Sequence, residues 1–275
     1  MTVDASRKLK KIAEGREAEI FAWDEGYVLR LLRDAGPLDR LEREAAAMQA
    51  ARSAGVAVPA VREIITVFGR PGMVMERVDG PDMLTLIGRK PWTVERIGRV
   101  SGELQAAVNN VKAPEELRPL RAYATDRINR IPVPPELEHL RRFALDTLEQ
   151  LPDGDVICHG DYHPGNIIDG KNGPMIIDWP NVSRGDGDAD FARTMLTLRI
   201  GEPPPGTSPI VLFLAKFARG LLIWGYRRAY LRRRPVDPAS VAQWTIVRAA
   251  DRLWEGIEVE RPKLVAFLQK HYDNR

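Results

Sequence analysis

Three polar residues in the middle of the chain, Asp161, Asn166 and Asp178, have the types and spacing of a chemical site. Short apolar runs beside them predict strands at 156–158, 167–168 and 175–177. Asp-Gly-Lys-Asn-Gly at 169–173 is typical of a hairpin turn. One carboxylate to orient an acceptor, with an amide and a second carboxylate to hold a cation, is the layout of a phosphoryl-transfer site.

Mg²⁺ binds hard oxygen ligands and keeps several waters, so one amide and one carboxylate suffice to hold it. Asn166 and Asp178 fit that role. Asp161 is the candidate to accept the proton of an acceptor hydroxyl or to orient it. Each residue alone is an ordinary turn residue, but the three together at this spacing favour the chemical interpretation.

The composition is that of a globular protein, with 44% hydrophobic and 29% charged residues among 275. The net charge of +3, from 41 basic and 38 acidic residues, argues against a general nucleic-acid binder. The single cysteine excludes an internal disulfide and favours a reducing compartment. Residues 1–8 lack a signal-peptide core, and the apolar stretch 210–226 is short for a membrane span. We therefore expect a cytoplasmic protein without a membrane partner.

The pattern changes near residue 78, and we predict two lobes, 1–78 and 79–275. Before it, strand patterns with one helix at 38–53 predict a small antiparallel sheet. Turn formers at 76–82 then predict a hinge. Beyond the hinge, helices are predicted at 93–109, 120–131, 136–151, 188–200, 210–231, 238–255 and 262–271. The expected class is α+β, with a sheet-containing lobe and a larger helical lobe.

The segment His-Gly-Asp-Tyr-His-Pro-Gly-Asn at 159–166, followed by Ile-Ile-Asp-Trp at 176–179, resembles the signature of the aminoglycoside phosphotransferase and choline kinase family. The resemblance implies a two-lobed protein-kinase-like fold that uses ATP or GTP with Mg²⁺ to phosphorylate a small hydroxylated acceptor. It implies Asp161 as catalytic base, with Asn166 and Asp178 as metal ligands. His159 and Asp190 would support the catalytic loop.

The resemblance extends to the first lobe with weaker motifs. Arg30 stands where the family carries its phosphate-contacting lysine, and Glu44 matches the glutamate that pairs with that cation. Gly15 lies in the nucleotide loop by the same comparison. Glu76 and Val78 match the hinge, where the backbone would bind the nucleotide base. Arginine keeps the positive charge but replaces a compact ammonium by a planar fork.

Two departures from the family leave alternatives open. Leu104 and Gln105 stand where the family often has a Leu-His pair, which predicts looser bracing of the catalytic loop. Few glycines surround Gly15, so a nucleotide-sensing pseudokinase remains an alternative. A third hypothesis is a metal-dependent hydrolase, because His159, Asp161 and His163 form an H-x-D-x-H pattern.

The sequence leaves the acceptor open among an aminoglycoside, another sugar or amino alcohol, and a pathway-specific metabolite. Carboxylates late in the chain would suit a polycation, whereas the arginines at 227–234 count against one. Aromatic residues late in the chain could flank a sugar ring, but aromatic residues at helical spacing more often belong to the hydrophobic core. These late residues are Asp251, Glu255, Glu258 and Glu260, with Trp224, Tyr226, Trp244 and Trp254.

Overall fold

The computed structural model describes residues 9–15, 17–35, 38–132, 134–201 and 209–275. Residues 1–8, on which the expectation of no signal peptide depends, lie outside this range. The strands are β1 (Lys10–Glu14), β2 (Ala18–Ala22), β3 (Tyr27–Leu32), β4 (Val61–Val67), β5 (Arg70–Glu76), β6 (Val156–Cys158), β7 (Ile167–Gly170), β8 (Gly173–Ile176) and β9 (Ser183–Gly185). The helices are α1 (Asp39–Ser53), α2 (Met83–Arg89), α3 (Val94–Val108), α4 (Leu120–Asn129), α5 (Glu138–Gln150), α6 (Gly187–Ile200), α7 (Pro209–Arg233), α8 (Pro238–Leu253) and α9 (Arg261–Asp273).

The N-terminal region is a five-stranded antiparallel sheet in the order β1-β2-β3-β5-β4, with α1 against it. The central strand β3 is buried on both faces from Val28 to Leu32, which accounts for its continuous apolar run. Arg30 is the exception within that run, and its guanidinium is buried with the strand. The small sheet with one helix that the sequence predicts is confirmed.

The helical region that follows is organised by the pair α3 and α7. These helices approach closely because α3 presents Gly98 and Gly102. A β-carbon at these glycines would lie 2.3 Å from the Leu222 carbonyl oxygen and 2.2 Å from that of Tyr226. The part of α3 that meets α7 is therefore formed by glycine, and Gln105 lies fully buried on the same helix.

Two small two-stranded sheets hold the loop that carries Asp161. Strand β6 pairs with β9, and β7 pairs with β8, so the loop connects two separate two-stranded sheets. The sequence did not predict β9, which has three residues, or the short helix α2. The connection before α2 contacts β7, since the Asp169 amide donates to the Pro81 carbonyl at 2.9 Å.

One apolar core joins the two regions. It packs Leu41 and Met48 of α1 with Met73 of β5, and continues to Ile167 and Tyr226. A second core lies within the C-terminal helices, among α4, α5, α6, α8 and α9. Cys158 is fully buried there, and burial raises the pKa of its thiol well above the ordinary value. Among the described residues, no helix is long and apolar enough to cross a membrane.

Candidate active site

The loop from His159 to Asn166 places two of the candidate side chains together. Gly160 has a φ of 82°, and a β-carbon there would lie 2.4 Å from the Asn181 carbonyl oxygen, so only glycine fits. Asn166 ends a single 3₁₀ turn, and its Nδ2 donates to the Asp161 carbonyl at 2.9 Å. The Asp161 side chain remains 27% exposed. The loop therefore exposes the Asp161 carboxylate to solvent, while hydrogen bonds hold the backbone of the loop in place.

Asp190, at the start of α6, fixes that backbone. Its carboxylate is fully buried and accepts from the amides of His159 at 3.1 Å and Gly160 at 2.8 Å. The side chains of Gln105 and Asn109 donate to the same carboxylate at 2.9 Å each. Four donors satisfy a charge that would otherwise be costly to bury. Asp190 thus lies where the sequence predicts a supporting residue.

Gln105, for which the sequence predicts looser bracing of the loop, is hydrogen-bonded to Asp190 and to Tyr226. Its amide nitrogen donates to Asp190, and its Oε1 accepts from the Tyr226 hydroxyl at 2.6 Å. The glutamine therefore connects α3 to α6 and to α7. A side-chain amide can donate and accept at once, which explains how it serves both neighbours.

Asp178 lies beyond β8 in a left-handed backbone conformation, with φ of 65°. Such a conformation is uncommon outside glycine and concentrates at functional sites. Its neighbour Ile177 donates its amide to the Asn166 carbonyl at 2.9 Å, which brings the two candidate metal ligands onto adjacent segments of the backbone. The Asp178 side chain is 48% exposed.

Arg30 connects this site to the N-terminal sheet. Its Nη1 donates to Glu44 Oε2 at 2.7 Å, and its Nη2 lies 3.9 Å from Asp178 Oδ1. Burial raises the pKa of Glu44, an effect that Arg30 and Arg40 partly offset. The predicted cation and glutamate are therefore in contact, and the cation is directed at the predicted metal carboxylate.

Three further residues are predicted to bind the nucleotide, and each lies in a different part of the structure. Gly15 lies in the turn between β1 and β2, where its amide donates to the Ala18 carbonyl at 2.8 Å. Glu76 ends β5, and its carboxylate accepts from the Ala60 amide at 3.0 Å. A β-carbon at Gly170 would lie 3.2 Å from the Val78 side chain, so Val78 lies beside the β7–β8 hairpin. The nucleotide-binding roles of these three residues stay predictions.

The hypothesis of a hydrolytic metal on the H-x-D-x-H pattern is wrong. His159 is fully buried against Trp179, with its Nε2 3.1 Å from the Ile177 carbonyl, so that nitrogen is the donor. Its Nδ1 accepts from the Asp161 amide at 3.4 Å, which leaves neither nitrogen for a metal. Within the described residues, no group of three or more His, Cys, Asp or Glu could hold a metal ion.

The sequence interpretation missed a set of residues on the other side of Asp161. Arg252 of α8 has its Nη1 3.9 Å from Asp161 Oδ1. Tyr123 of α4 donates its hydroxyl to Asn181 Oδ1 at 2.8 Å, beside the loop. Arg252 also pairs with Glu255 in the turn after α8, but nothing in that i, i+3 spacing indicates that Arg252 lies near Asp161.

The family follows from a comparison with known sequence families. The model of the phosphotransferase enzyme family matches residues 8–236. The chain belongs to the phosphotransferase enzyme family. A search of curated proteins found no match.

Solved structures resemble this phosphotransferase-family chain along nearly its whole length. A thermostable mutant of aminoglycoside phosphotransferase APH(4)-Ia, in its apo form, is 17% identical with a TM-score of 0.64, covering 98% of this chain and 93% of its own. A choline/ethanolamine kinase family protein from Mesorhizobium loti is 19% identical with a TM-score of 0.60, covering 98% and 82%. A GDP and kanamycin complex of an APH(2") enzyme is 16% identical with a TM-score of 0.59, covering 98% and 94%. These similarities confirm the predicted kinase-like α+β fold; the lobe boundary at residue 78 stays a prediction.

Proposed function

We propose that this protein transfers the γ-phosphoryl group of ATP or GTP to a hydroxyl of a small molecule. The observation that carries the proposal is the arrangement of Asp161, Asn166 and Asp178 around one loop, with Arg30 directed at Asp178 from the sheet. Membership of the phosphotransferase family supports it. Similar structures bound to GDP with kanamycin, or to ATP with streptomycin, support both a nucleotide and a hydroxylated acceptor.

Asp161 is the proposed base. In the transfer, the acceptor oxygen forms a bond to the γ-phosphorus while the bond to the β,γ-bridging oxygen breaks, and the hydroxyl proton passes to the Asp161 carboxylate. The carboxylate is partly exposed, as contact with an acceptor requires, and its backbone is fixed through Asn166 and through Asp190. Positioning of this kind supplies much of the catalysis in phosphoryl transfer.

The donor set fits a magnesium ion. Asn166 uses its Nδ2 on the Asp161 carbonyl, so its Oδ1 is the atom left to bind a cation. Asp178 supplies a half-exposed carboxylate held by a strained backbone. Asn166 and Asp178 would hold Mg²⁺, which when bound neutralises charge on the phosphates. Arg30, held by Glu44, supplies a second positive charge toward the same phosphates.

The test is turnover on a panel of hydroxylated acceptors with Mg²⁺ and with ATP or GTP, followed by mass spectrometry of the products. We expect phosphorylation of at least one acceptor class and a loss of about 10²- to 10⁴-fold in Asp161→Asn. Asp146→Asn, an exposed aspartate on α5, is the matched control and should keep full activity.

Nucleotide binding without turnover on any acceptor would instead favour the pseudokinase alternative. The structure weakens the grounds for that alternative, because Arg30 is paired with Glu44 and Gln105 contacts Asp190. Turnover that Asp161→Asn leaves unchanged would contradict the proposed base.

A further inference from the structure

His163 belongs to the H-x-D-x-H pattern but has no part in the reaction described so far. It stands two residues after Asp161 in the same loop, and 30% of its side chain is exposed. Its Nδ1 accepts from the Gly165 amide at 3.0 Å. A β-carbon at Gly165 would lie 2.8 Å from the His163 Cε1, so the imidazole ring rests directly on that glycine. The turn that leads to Asn166 therefore fixes the orientation of the ring.

The hydrogen bond from Gly165 also decides which nitrogen of the His163 ring carries the proton. A ring nitrogen that accepts an amide N–H carries no proton of its own, so the ring is neutral with its proton on Nε2. Burial lowers the pKa of His163, an effect that Asp161 partly offsets, and this favours the same neutral ring. His163 is therefore a donor at Nε2.

This donor faces the proposed base. His163 Nε2 lies 3.9 Å from Asp161 Oδ2, and it makes no hydrogen bond among the described residues. A separation of 3.9 Å is longer than a hydrogen bond, as is common for catalytic contacts before the substrate is bound. An unused N–H thus lies beside the carboxylate that must meet the acceptor hydroxyl.

Arg252 lies at the other oxygen of the same carboxylate, but its donors are already in use. Its Nη1 is 3.9 Å from Asp161 Oδ1. Its Nε and Nη2 donate to Glu260 at 2.7 and 2.9 Å, and its Nη1 donates to Glu255 at 2.6 Å. Other carboxylates therefore hold Arg252, whereas the Nε2 donor of His163 is left for Asp161.

We propose that His163 is a positioning residue for the base, with its Nε2–H donating to Asp161 Oδ2 and orienting the carboxylate toward the acceptor hydroxyl. This inference rests on the proposed function, since it concerns the same base. Each carboxylate oxygen accepts more than one hydrogen bond, so the contact leaves Asp161 able to accept the hydroxyl proton. Fixing the direction of a reacting group is a recognised source of catalysis, and a misplacement of about 1 Å can cost about 10²-fold in rate.

The same tautomer excludes a second role for His163. After the transfer, Asp161 carries the proton of the acceptor hydroxyl and must release it before the next turnover. His163 presents an N–H to Asp161 rather than a lone pair, so it does not take this proton. The Asp161 side chain is 27% exposed, and the proton passes to water.

Two substitutions separate the two nitrogens of the His163 ring. Asparagine has an amide oxygen where the ring has Nδ1, and it has no group at the position of Nε2. Glutamine has an amide nitrogen at the position of Nε2 and no group at that of Nδ1. His163→Asn therefore keeps the acceptor for Gly165, whereas His163→Gln keeps the donor toward Asp161. His139→Asn, on α5, is the control and should keep the wild-type kcat.

The first measurement compares turnover with stability. The acceptor is the hydroxylated panel member with the highest kcat/KM in the wild type, used with ATP and Mg²⁺. We expect kcat to fall at least about tenfold in His163→Asn and less than about threefold in His163→Gln, with the acceptor KM nearly unchanged in both. Urea denaturation should give the opposite order, because His163→Gln loses the hydrogen bond from Gly165 and should unfold at a lower urea concentration.

A purely structural role would give the same order of variants in both measurements. A kcat loss in His163→Gln that equals or exceeds the loss in His163→Asn would overturn the inference, because the turn at Gly165 would then account for it. An unchanged kcat in His163→Asn would overturn it as well, while leaving the phosphotransferase function intact. Absence of wild-type turnover on every acceptor would instead remove the base, and with it the role of His163.

Nuclear magnetic resonance tests the geometry without turnover. Long-range ¹H–¹⁵N spectra of the wild-type protein distinguish protonated from unprotonated ring nitrogens, and the signals that disappear in His163→Asn identify His163. We expect the proton on Nε2 at neutral pH. A proton on Nδ1 would overturn the inference, since Nε2 would then have no hydrogen to donate to Asp161.

Discussion

The two sides of Asp161 are built differently. Toward the sheet, Arg30 and Arg40 both contact one buried carboxylate, Glu44, and Arg30 also lies 3.9 Å from Asp178 Oδ1. Toward α8, four buried arginines contact four carboxylates, one of which is Asp161 itself; the arginines are Arg127, Arg193, Arg248 and Arg252, and the other carboxylates are Asp251, Glu255 and Glu260. The sheet side consists of residues that the family resemblance predicts, whereas the α8 side is formed by helices far apart in the chain. The contrast shows that local sequence patterns encode one side of the site and that the packing of α4, α6 and α8 forms the other.

Both sides depend on the loop that Asp190 holds, so Asp190 gives the largest expected effect. Asp190→Asn replaces a carboxylate that accepts four hydrogen bonds by an amide, whose NH₂ group would face some of the same N–H donors. We expect the free energy of unfolding to fall by about 4 to 5 kcal/mol, measured by urea denaturation. Asp188→Asn, on the same helix, is the control; its carboxylate accepts from the Asp237 amide, and the expected loss is about 1 kcal/mol. Similar losses in both variants would show that the four contacts are not what stabilises the loop.

The sheet side can be tested by removing Arg30, the arginine nearest to Glu44. Arg30→Met leaves Glu44 buried without its nearest charge, and we expect a loss of about 3 to 5 kcal/mol in the free energy of unfolding. The double variant Arg30→Met with Glu44→Leu removes both charges and should recover most of that stability. ATP affinity should be lowered in both variants, since neither keeps the cation. If the double variant stays as unstable as the single one, the pair is not the cause of the loss.

The sequence predicts the sheet side because local patterns encode it. Asp161, Asn166 and Asp178 stand at the ends of short strands whose apolar runs and hairpin turn are visible in a single sequence. Arg30 interrupts an apolar strand, and a charged residue inside such a run is unusual enough to draw attention to that position. The sheet, the helix α1 and most of the later helices follow from periodicity for the same reason.

The sequence does not predict the buried arginines on the α8 side, because nothing local distinguishes them from exposed ones. Arg127 and Arg193 have the spacing of ordinary helix residues, and arginine is usually at the surface. Their burial depends on how α4, α6 and α8 pack, which is a tertiary property. Gln105 shows the same limit: the residue type suggested weaker bracing, but packing against α7 gave it two partners.

The ion pairs on the α8 side predict that the stability of the fold depends on pH. Burial alone would raise the pKa of Glu255, but Arg193, Arg252 and Arg127 lower it from 4.5 to about 2. A carboxylate with a depressed pKa stabilises the folded state above pH 4.5, and this contribution is lost as the pH falls from 4.5 towards 2. Glu255→Gln should therefore cost about 3 kcal/mol of unfolding free energy at pH 7, and the difference from wild type should shrink below pH 4.5.

Urea denaturation at pH 7, 5 and 3.5 measures this difference. Glu258→Gln, an exposed glutamate three residues along the chain, is the control and should differ from wild type by less than about 0.5 kcal/mol throughout. A Glu255→Gln deficit that stays constant with pH would show that the arginines do not depress the pKa of this carboxylate.

The smallest expected effect concerns Gln105, which belongs to neither side but supports the loop between them. Gln105→Leu removes one of four donors to Asp190 and leaves the Tyr226 hydroxyl buried without its acceptor, at an expected cost of about 1 to 2 kcal/mol in urea denaturation. Gln105→His restores the residue that the family often carries and can still donate to Asp190, so it should lose less than Gln105→Leu. If both variants lose the same amount of unfolding free energy, the glutamine contributes through its fit against α7 rather than through its hydrogen bonds. If Gln105→His gains both stability and turnover, the glutamine does loosen the loop, as the sequence alone suggests.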